Sequence, residues 1–324
     1  MIKTILKKIL SGIKISIFRI GLPAVILGGM SENTQATGTG TWPNIAMPTL
    51  GGKQLWTDRY LYSGWRIQEN AITGHSRLLD PGNVRRCWGA FNACRARFEQ
   101  IRAIRGIEPY KGHLVILVHG LGRSRVSMGG MERALLSAGY QVAAISYSST
   151  RQSVARNAAG LAELIENLEG VDRISFVTHS LGGLVARSLL AREDMPWRKR
   201  IAVNALIMTA PPSRGSRMAD VLQYVPPVNL ILWRGLFDSR TSAVATLPTP
   251  NIPFAIIAAG RGGTGWNPLL SGDDDLIVSV AETRLDGADG WMRVNGIHAF
   301  VMNYPDSIAA TQHFLEHRRF EKPA

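Results

Sequence analysis

The chain contains the run Ile174-Ser-Phe-Val-Thr-His-Ser-Leu-Gly-Gly-Leu-Val-Ala-Arg187, in which an apolar strand passes directly into a helix. A serine on so tight a turn is lifted clear of the sheet, and the N–H of the next residue faces the same space. The helix N-terminus favours negative charge that develops there. Gly182 and Gly183 provide small neighbours, whereas Thr178 stands where the pattern G-x-S-x-G has glycine. The run predicts a nucleophile at Ser180, with a helix N-cap as the alternative role of this serine.

Short apolar runs alternate with amphipathic segments around this turn. The predicted strands cover 113–118, 141–147, 173–177 and 202–208, and the predicted helices cover 129–137, 154–168 and 181–190. Strand and helix in alternation imply parallel strands joined by right-handed crossovers, with helices on both faces of the sheet. Ligands of such sheets bind at the carboxyl ends of the strands. The sequence therefore predicts an α/β fold whose functional residues follow the strands.

Three motifs carry a resemblance to a known family. Thr178-His-Ser-Leu-Gly-Gly183 is similar to the lipase motif G-H-S-x-G-G, and Leu114-Val-Ile-Leu-Val-His-Gly-Leu-Gly122 resembles an apolar strand that ends in His-Gly. Pro212-Ser-Arg-Gly-Ser216 is similar to P-H-x-G-S, with Ser213 in the histidine position and no catalytic role. From about 112 to its end, the chain resembles the α/β-hydrolase superfamily, and within it the small bacterial lipases and esterases. The resemblance implies an α/β-hydrolase fold over 111–324, with a mostly parallel central sheet, helices on both faces and a small cap or lid insertion.

A serine alone is a poor nucleophile at neutral pH, so an acid and a histidine base are expected later in the chain, in that order. The loop Gly272-Asp-Asp-Asp-Leu-Ile-Val278 is similar to the lipase D-x-x-V, which selects Asp275 as the acid. Asp273 and Asp274 remain alternatives for the acid, because a shift of one or two residues in the match to the motif would select either of them instead. Binding of a cation by the three carboxylates is a further alternative.

The base is expected in a loop after the last strand and before a final helix. His298 lies between a predicted strand over 291–295 and a predicted helix over 307–316, and it is therefore the predicted base. The remaining candidates belong to the flanking motifs or to the final helix: His119, His179, His313 and His317.

The resemblance implies a complete reaction. Ser180 would attack an acyl carbonyl, His298 would remove its proton, and Asp275 would orient the imidazolium. The backbone N–H groups of Leu121 and Leu181 would hold the oxyanion, and no metal or organic cofactor is required. The predicted function is a serine carboxylester hydrolase of the lipase or esterase type, acting on an acyl-ester or lipid substrate. An acyltransferase with the same triad and a non-catalytic module that binds a lipid or a partner are the alternatives.

An apolar insertion over 211–250 separates the predicted strand at 202–208 from the strand-like run at 252–258. An apolar segment above the nucleophile would line an acyl pocket or serve as a small lid. Ordinary core packing is the alternative for the same residues.

Composition and charge limit the remaining classes. The chain has 324 residues, 45% hydrophobic and 19% charged, which excludes disorder, collagen and a disulfide-rich miniprotein. The net charge of +13 favours anionic surfaces. Residues 1–30 combine a basic amphipathic stretch with a short apolar run, which predicts a signal peptide or a membrane anchor. We expect an exported or membrane-associated protein, on the periplasmic side if it is bacterial, with a cytoplasmic location left open.

Residues 31–53 are rich in Thr, Gly and Pro and are predicted to be a linker. Residues 54–110 mix aromatic and basic side chains, with helical spacing over 84–104, and are predicted to pack on the hydrolase domain as an N-terminal lead-in. No nucleic-acid motif accompanies them, and no nucleic-acid partner is predicted. On a shared helix, Cys87 and Cys94 would lie roughly 10 Å apart, so they bridge only if this stretch is not helical. Packing of two free thiols in a core is the alternative.

Overall fold

The computed structural model describes residues 47–48, 54–225 and 233–320. The predicted signal peptide or anchor over 1–30 lies outside these residues, as does most of the predicted linker over 31–53. Met47–Pro48, inside the predicted linker, form a short strand, β1. Within the described ranges, no helix combines the length and the apolar character that crossing a bilayer requires.

The first described part of the chain is an antiparallel sheet of five strands, which we call the N-terminal sheet. Its strands run in the order β1-β5-β4-β3-β2. A helix, α1 (Phe91–Arg105), packs on it. Aromatic and apolar side chains form a small core of their own between the two: Tyr60, Tyr62, Trp65, Ile67, Leu78, Cys87, Cys94 and Phe98. The strands are β2 (Trp56–Tyr62), β3 (Trp65–Asn70), β4 (Ser76–Leu79) and β5 (Val84–Gly89).

The prediction of helical structure over 84–104 is wrong for its first six residues, which form β5. Cys87 points into the small core, while the next residue, Trp88, is 44% exposed. This alternation has the period of two that a strand requires. Pairing with β4 on one side and β1 on the other supplies the backbone hydrogen bonds. The helix begins only at Phe91.

The two cysteines therefore lie on different elements, Cys87 on β5 and Cys94 on α1. Both are buried and free. The thiol of Cys94 is hydrogen-bonded to that of Cys87 and lowers the pKa of Cys87 to about 7. The pair occupies the small core as two thiols, which agrees with the packing alternative.

A sheet of six parallel strands forms the centre of the molecule, in the order β11-β10-β9-β8-β6-β7. Its middle strands are buried on both faces, which is why they read as continuous apolar runs in the sequence. This topology confirms the predicted fold class. The strands are β6 (Gly112–Val118), β7 (Gln141–Ile145), β8 (Val171–His179), β9 (Ala202–Thr209), β10 (Phe254–Gly260) and β11 (Gly290–Asn295).

Helices cover both faces of the central sheet. Along β6, Leu114 and Ile116 belong to the core under one face, and Val115 and Leu117 belong to the core under the other. The helices after α1 are α2 (Gly129–Ser137), α3 (Val154–Glu166), α4 (Leu181–Leu190), α5 (Arg217–Leu222), α6 (Trp233–Asp238), α7 (Thr241–Val244) and α8 (Pro305–His317). Helices α3 and α4 pack on the first face, and α2 and α8 pack on the second.

The insertion over 211–250 contains the short helices α5, α6 and α7, and its residues 226–232 lie outside the described part. The buried side chain of Arg187 on α4 holds both ends of the insertion. Its guanidinium donates to the carbonyl oxygens of Ser213 at 2.9 Å, Leu247 at 2.6 Å and Pro248 at 3.3 Å. Burial lowers the pKa of Arg187 to about 10. The insertion is thereby fixed to the helix that follows Ser180.

Strand β2 of the N-terminal sheet is joined to the segment that follows β7. The N–H of Asp58 donates to the carbonyl oxygen of Ser146 at 2.9 Å, and the N–H of Ser146 donates to the Asp58 carboxylate at 2.6 Å. The carboxylate of Glu169, two residues before β8, lies 3.1 Å from the guanidinium of Arg95 and 2.9 Å from that of Arg102, both on α1. Backbone hydrogen bonds and ion pairs thus connect the N-terminal sheet to segments that flank the strands of the central sheet.

Candidate active site

Ser180 lies on a sharp turn between β8 and α4. Its φ of 52° is a left-handed conformation that non-glycine residues rarely adopt. The turn is tight because α4 starts directly against the end of β6. A side chain at Gly182 would place its Cβ 2.5 Å from the carbonyl oxygen of Val118 and 2.7 Å from that of His119. Glycine is therefore required at this position, and the hydroxyl of Ser180 projects from the carboxyl end of the sheet.

Thr178, the departure from G-x-S-x-G, is accommodated beside β9. Its hydroxyl is buried and donates to the carbonyl oxygen of Ile207 at 3.4 Å. Its own carbonyl oxygen accepts a hydrogen bond from the hydroxyl of Thr209 at 2.7 Å. The threonine side chain thus packs within the sheet and leaves the turn at Ser180 unobstructed.

Three predicted site residues lie together although they are far apart in the chain. His298 Nε2 lies 2.9 Å from Ser180 Oγ, and His298 Nδ1 lies 2.7 Å from Asp275 Oδ2. The second oxygen of Asp275 accepts the N–H groups of Ile277 at 3.0 Å and Val278 at 2.7 Å, so the carboxylate is fixed from both sides. Because a carboxylate only accepts, Nδ1 of His298 carries a proton and Nε2 is free to accept one from Ser180.

The neighbouring carboxylates have other partners. Asp273 accepts the N–H groups of Arg261 at 2.7 Å and Gly262 at 3.0 Å. Asp274 accepts those of Asn267 at 3.1 Å and Leu276 at 2.8 Å. Only the third aspartate of the run contacts His298. Among the described residues, no group of three or more His, Cys, Asp or Glu side chains is arranged to hold a metal ion.

Exposure differs along this line of contacts. Ser180 and His298 are each 9% exposed, whereas Asp275 is fully buried. A substrate can therefore reach the serine and the imidazole from one side, while the carboxylate lies behind the ring.

His179 is a functional candidate that sequence reasoning assigned only to the flanking motif. Its Nε2 lies 2.9 Å from the carbonyl oxygen of His298 and donates to it. Burial, with the nearby His298 ring, holds the pKa of His179 well below its usual value, so its ring is neutral. The contact fixes the loop that carries His298. A histidine next to the serine is visible in the sequence, but its partner 119 residues away is not.

The two predicted oxyanion donors, Leu121 and Leu181, follow the ends of β6 and β8. The strand ends approach each other closely, since a Cβ at Gly120 would lie 2.8 Å from His179 Nδ1 and 3.0 Å from Ser180 Cβ. Within the described part of the chain, the N–H groups of Leu121 and Leu181 donate no hydrogen bond. Two backbone donors near Ser180 are thus left for a ligand.

Helix α6 of the insertion lies against these two residues. A Cβ at Gly235 would lie 2.5 Å from Leu121 Cδ1 and 3.1 Å from Leu181 Cδ2. It would also lie 2.2 Å from the carbonyl oxygen of Ser149. The backbone of the insertion therefore covers the side chains of both predicted donors.

The Pro212–Ser216 motif has a structural role. Gly215 has a φ of 88°, and a Cβ there would lie 2.2 Å from Thr241 Cα. The hydroxyl of Ser216 accepts the N–H of Ala219 at 3.3 Å and caps α5. The motif thus packs against α7 at Gly215 and begins α5 at Ser216.

Exposed apolar side chains follow the predicted acid and base in sequence. Leu276 is 39%, Ile277 42% and Phe300 53% exposed. The amide of Asn267 donates to the carbonyl oxygen of Leu276 at 2.8 Å and contacts Met218 Sδ at 3.3 Å, so this loop lies beside α5. The sequence hypothesis named only the insertion as an apolar surface, whereas the loops that carry Asp275 and His298 also contribute.

His119 is buried beneath the start of the loop after β6, and it makes stability depend on pH. Its ring stacks on Tyr147 at 4.2 Å, and burial lowers the pKa of His119 to about 4. As the pH falls from 6.5 to 4, the unfolded chain takes up a proton at this residue and the folded chain does not, so stability is lost. His119→Phe keeps a ring on Tyr147 and is expected to remove about 2 kcal/mol of the stability that is lost between pH 7 and pH 4.5.

The measurement is urea unfolding of the wild type and His119→Phe at pH 7 and pH 4.5. His317→Gln, which removes an exposed histidine, serves as the control and is expected to keep the wild-type pH dependence. An identical loss of stability in the wild type and His119→Phe would contradict this role of His119.

Solved structures resemble this fold. The mature form of the lipase BlEst2 of Bacillus licheniformis matches with a TM-score of 0.50 and 19% identity, over 63% of this chain and 91% of that one. Its propeptide form matches with a TM-score of 0.52 and 19% identity, over 65% of this chain and 52% of that one. The metagenomic carboxyl esterase MGS0156 has a TM-score of 0.48 and 21% identity, over 63% of this chain and 76% of that one. The chain therefore has the fold of the α/β-hydrolase superfamily, as predicted.

The chain belongs to the family DUF7379, a domain of unknown function, which matches residues 89–256. No curated protein matches the sequence. The matched residues include Ser180 and both predicted oxyanion donors, and they leave out the N-terminal sheet up to Trp88 as well as Asp275 and His298.

Proposed function

We propose that the protein is a serine carboxylester hydrolase of the lipase or esterase type, which cleaves acyl esters through an acyl-enzyme on Ser180. The observation that carries this proposal is the continuous line of contacts from Ser180 Oγ through His298 to the Asp275 carboxylate, at 2.9 and 2.7 Å. A hydroxyl, an imidazole and a buried carboxylate in this order form an activated nucleophile.

In the first half of the reaction, Ser180 Oγ attacks the carbonyl carbon of the ester, and its proton passes to His298 Nε2. Asp275 stabilises the imidazolium that forms. The negative charge on the carbonyl oxygen is held by the N–H groups of Leu121 and Leu181 and by the N-terminus of α4. The tetrahedral intermediate then expels the alcohol, which takes the proton from His298, and an acyl-serine remains.

In the second half, water takes the place of the alcohol. His298 removes a proton from the water as it attacks the acyl carbon, and a second oxyanion forms between the same two N–H groups. Collapse of this intermediate releases the carboxylic acid and returns the proton to Ser180 Oγ. Every proton in the cycle is carried by His298 Nε2.

Apolar side chains near the site support an acyl substrate. The exposed side chains of Leu276 and Ile277 follow Asp275 directly, and the exposed side chain of Phe300 comes two residues after His298. The leucine side chains at 121 and 181 lie under α6. Such surroundings would remove the acyl chain from water, while the polar groups orient its carbonyl.

The test is hydrolysis of p-nitrophenyl esters of increasing acyl length by the full chain, with Ser180→Ala as the blank. We expect activity above the blank that rises with acyl length, because each added CH₂ removed from water contributes about 0.8 kcal/mol. The slope of kcat/KM against chain length measures how much of the acyl chain is buried.

Hydrolysis at the level of the Ser180→Ala blank for every ester would contradict the proposal. If the wild type still formed an acyl-serine and transferred the acyl group to an added alcohol, the protein would instead be an acyltransferase with the same triad. Absence of any acyl-serine would favour the non-catalytic binding module.

A further inference from the structure

Gln54 lies two residues before the start of β2, and its side chain reaches the turn that carries Leu121. Its side-chain Nε2 donates a hydrogen bond to the carbonyl oxygen of Arg123. Its side-chain oxygen accepts the hydroxyl groups of Ser149 at 2.9 Å and Thr150 at 3.3 Å. One amide therefore connects the loop after β6 with the segment after β7. No sequence motif suggests these contacts.

The turn over 120–123 is held from its other side as well. The N–H of Arg123 donates to the carbonyl oxygen of Gly120 at 3.2 Å, and Gly122 has a φ of 67°. These features define a type II β-turn with Leu121 as its second residue, whose N–H the turn itself does not use. The N–H of Gly122 donates to Ser149 Oγ at 3.1 Å.

The hydrogen bonds have a fixed direction. Because Ser149 Oγ accepts from Gly122, its own proton goes to the side-chain oxygen of Gln54. The Gln54 nitrogen then faces the carbonyl of Arg123. Position 54 must provide one acceptor and one donor at this geometry, which an amide supplies and an ionised carboxylate does not.

The backbone around Gln54 is itself fixed. Its carbonyl oxygen accepts the hydroxyl of Ser148 at 2.6 Å. Four residues later, Asp58 exchanges two hydrogen bonds with Ser146, and Gln68 of β3 donates to the Asp58 carboxylate at 2.7 Å. The amide of Gln54 is therefore presented to the turn by an ordered part of the N-terminal sheet.

We propose that Gln54 is a positioning residue, which orients the turn over 120–123 so that the N–H of Leu121 faces the oxyanion formed at Ser180. The inference rests on the proposed function. It gives the N-terminal sheet, which lies outside the residues matched by the family, a part in catalysis. Gln54 itself touches neither the substrate nor Ser180; it acts through Leu121.

The principal variant is Gln54→Glu in the full chain, assayed with a p-nitrophenyl ester of short acyl length. The carboxylate keeps an acceptor for Ser149 and turns an oxygen towards the carbonyl oxygen of Arg123, so the turn is displaced. We expect kcat to fall about 10- to 100-fold with KM changed by less than about threefold, because an oxyanion donor acts mainly in the transition state.

Activity is expressed per active site, counted by end-point labelling of Ser180 with a fluorophosphonate, so that a loss of folded protein does not imitate a loss of kcat. Gln54→Met is neutral and of similar length, so it tests the same loss of hydrogen bonds if the charge of Gln54→Glu prevents folding. It is also expected to lower kcat. Gln100→Glu makes the same change at an exposed glutamine of α1, beside Arg97 at 3.1 Å, and is expected to keep wild-type kcat.

A double-mutant cycle adds a readout that a merely structural role would not move. Ser149→Ala frees the N–H of Gly122 and displaces the same turn. If Gln54 acts through that turn, the kcat loss of the double variant is smaller than the product of the two single losses. Multiplicative losses would indicate independent effects and would contradict the inference.

The outcomes separate the inference from the proposed function. Wild-type kcat per labelled site in both Gln54→Glu and Gln54→Met, with an active wild type, overturns the role of Gln54 alone. A loss confined to KM or to the labelled fraction also overturns it. A wild type that neither hydrolyses the ester nor reacts with the fluorophosphonate overturns the proposed function, and the role of Gln54 falls with it.

Discussion

Ser180→Ala is expected to lower kcat for ester hydrolysis by about 10⁶-fold, because it removes the atom that attacks the acyl carbon. His298 and the two backbone donors would remain in place, so the variant would still bind the ester with nearly unchanged KM. The measurement is steady-state hydrolysis of a p-nitrophenyl ester by the wild type and the variant, purified in parallel. A variant that retains more than about a tenth of wild-type kcat would show that Ser180 is not the nucleophile.

A second substitution at the same position separates function from strain. Ser180 has a φ of 52°, which glycine adopts freely and alanine does not. Ser180→Gly is therefore expected to be as inactive as Ser180→Ala but about 1 kcal/mol more stable to urea. Equal stability of the two variants would indicate that the turn after β8 holds no strain.

Asp275→Asn is expected to lower kcat by about 10⁴-fold. The amide nitrogen would donate to His298 Nδ1, which requires the ring tautomer with its proton on Nε2. In that tautomer, Nε2 can no longer accept the proton of Ser180. The length and volume of the side chain are kept, so the Ile277 and Val278 N–H groups retain an acceptor. The measurement is kcat at saturating ester, where a change in substrate binding has no effect.

The adjacent aspartates provide the matched controls for Asp275→Asn. Asp274→Asn and Asp273→Asn make the same chemical change one and two positions earlier, at carboxylates that accept only backbone N–H groups and, for Asp273, lie 3.7 Å from Arg293. Each is expected to lower kcat less than about tenfold, since an amide oxygen still accepts those hydrogen bonds. A larger loss in either control than in Asp275→Asn would assign the acid to that residue instead.

The central sheet could be predicted because burial on both faces leaves little choice of residues. The runs at Leu114–Val118 and Phe254–Gly260 are apolar throughout, and the turns after them carry glycine. The proposed nucleophile, base and oxyanion donors were predicted from motifs at the ends of such strands. The sequence motif did not decide which of the three adjacent aspartates is the acid. That choice depends on the fold, which brings one of the carboxylates to a histidine 23 residues later in the chain.

The N-terminal sheet could not be predicted in the same way, because basic residues and aromatic residues are each as frequent as aliphatic residues in its strands β2 to β5. Their burial depends on contacts between strands and helix: Arg77 lies 3.9 Å over the ring of Trp56, and Arg95 lies 3.8 Å over that of Tyr60. Such pairs leave no hydrophobic period in the sequence. Gln54 was missed for a related reason, since all of its side-chain partners lie 69 or more residues away.

The central claim is that Ser180 becomes the acyl-serine of the reaction. The most direct test is to treat the wild type with a fluorophosphonate and to locate the adduct by mass spectrometry of the intact protein and of its peptides. The account predicts one adduct per chain, on Ser180, and labelling that slows strongly in His298→Ala. An adduct on a different residue, or full ester hydrolysis by a chain that carries no adduct, would contradict it.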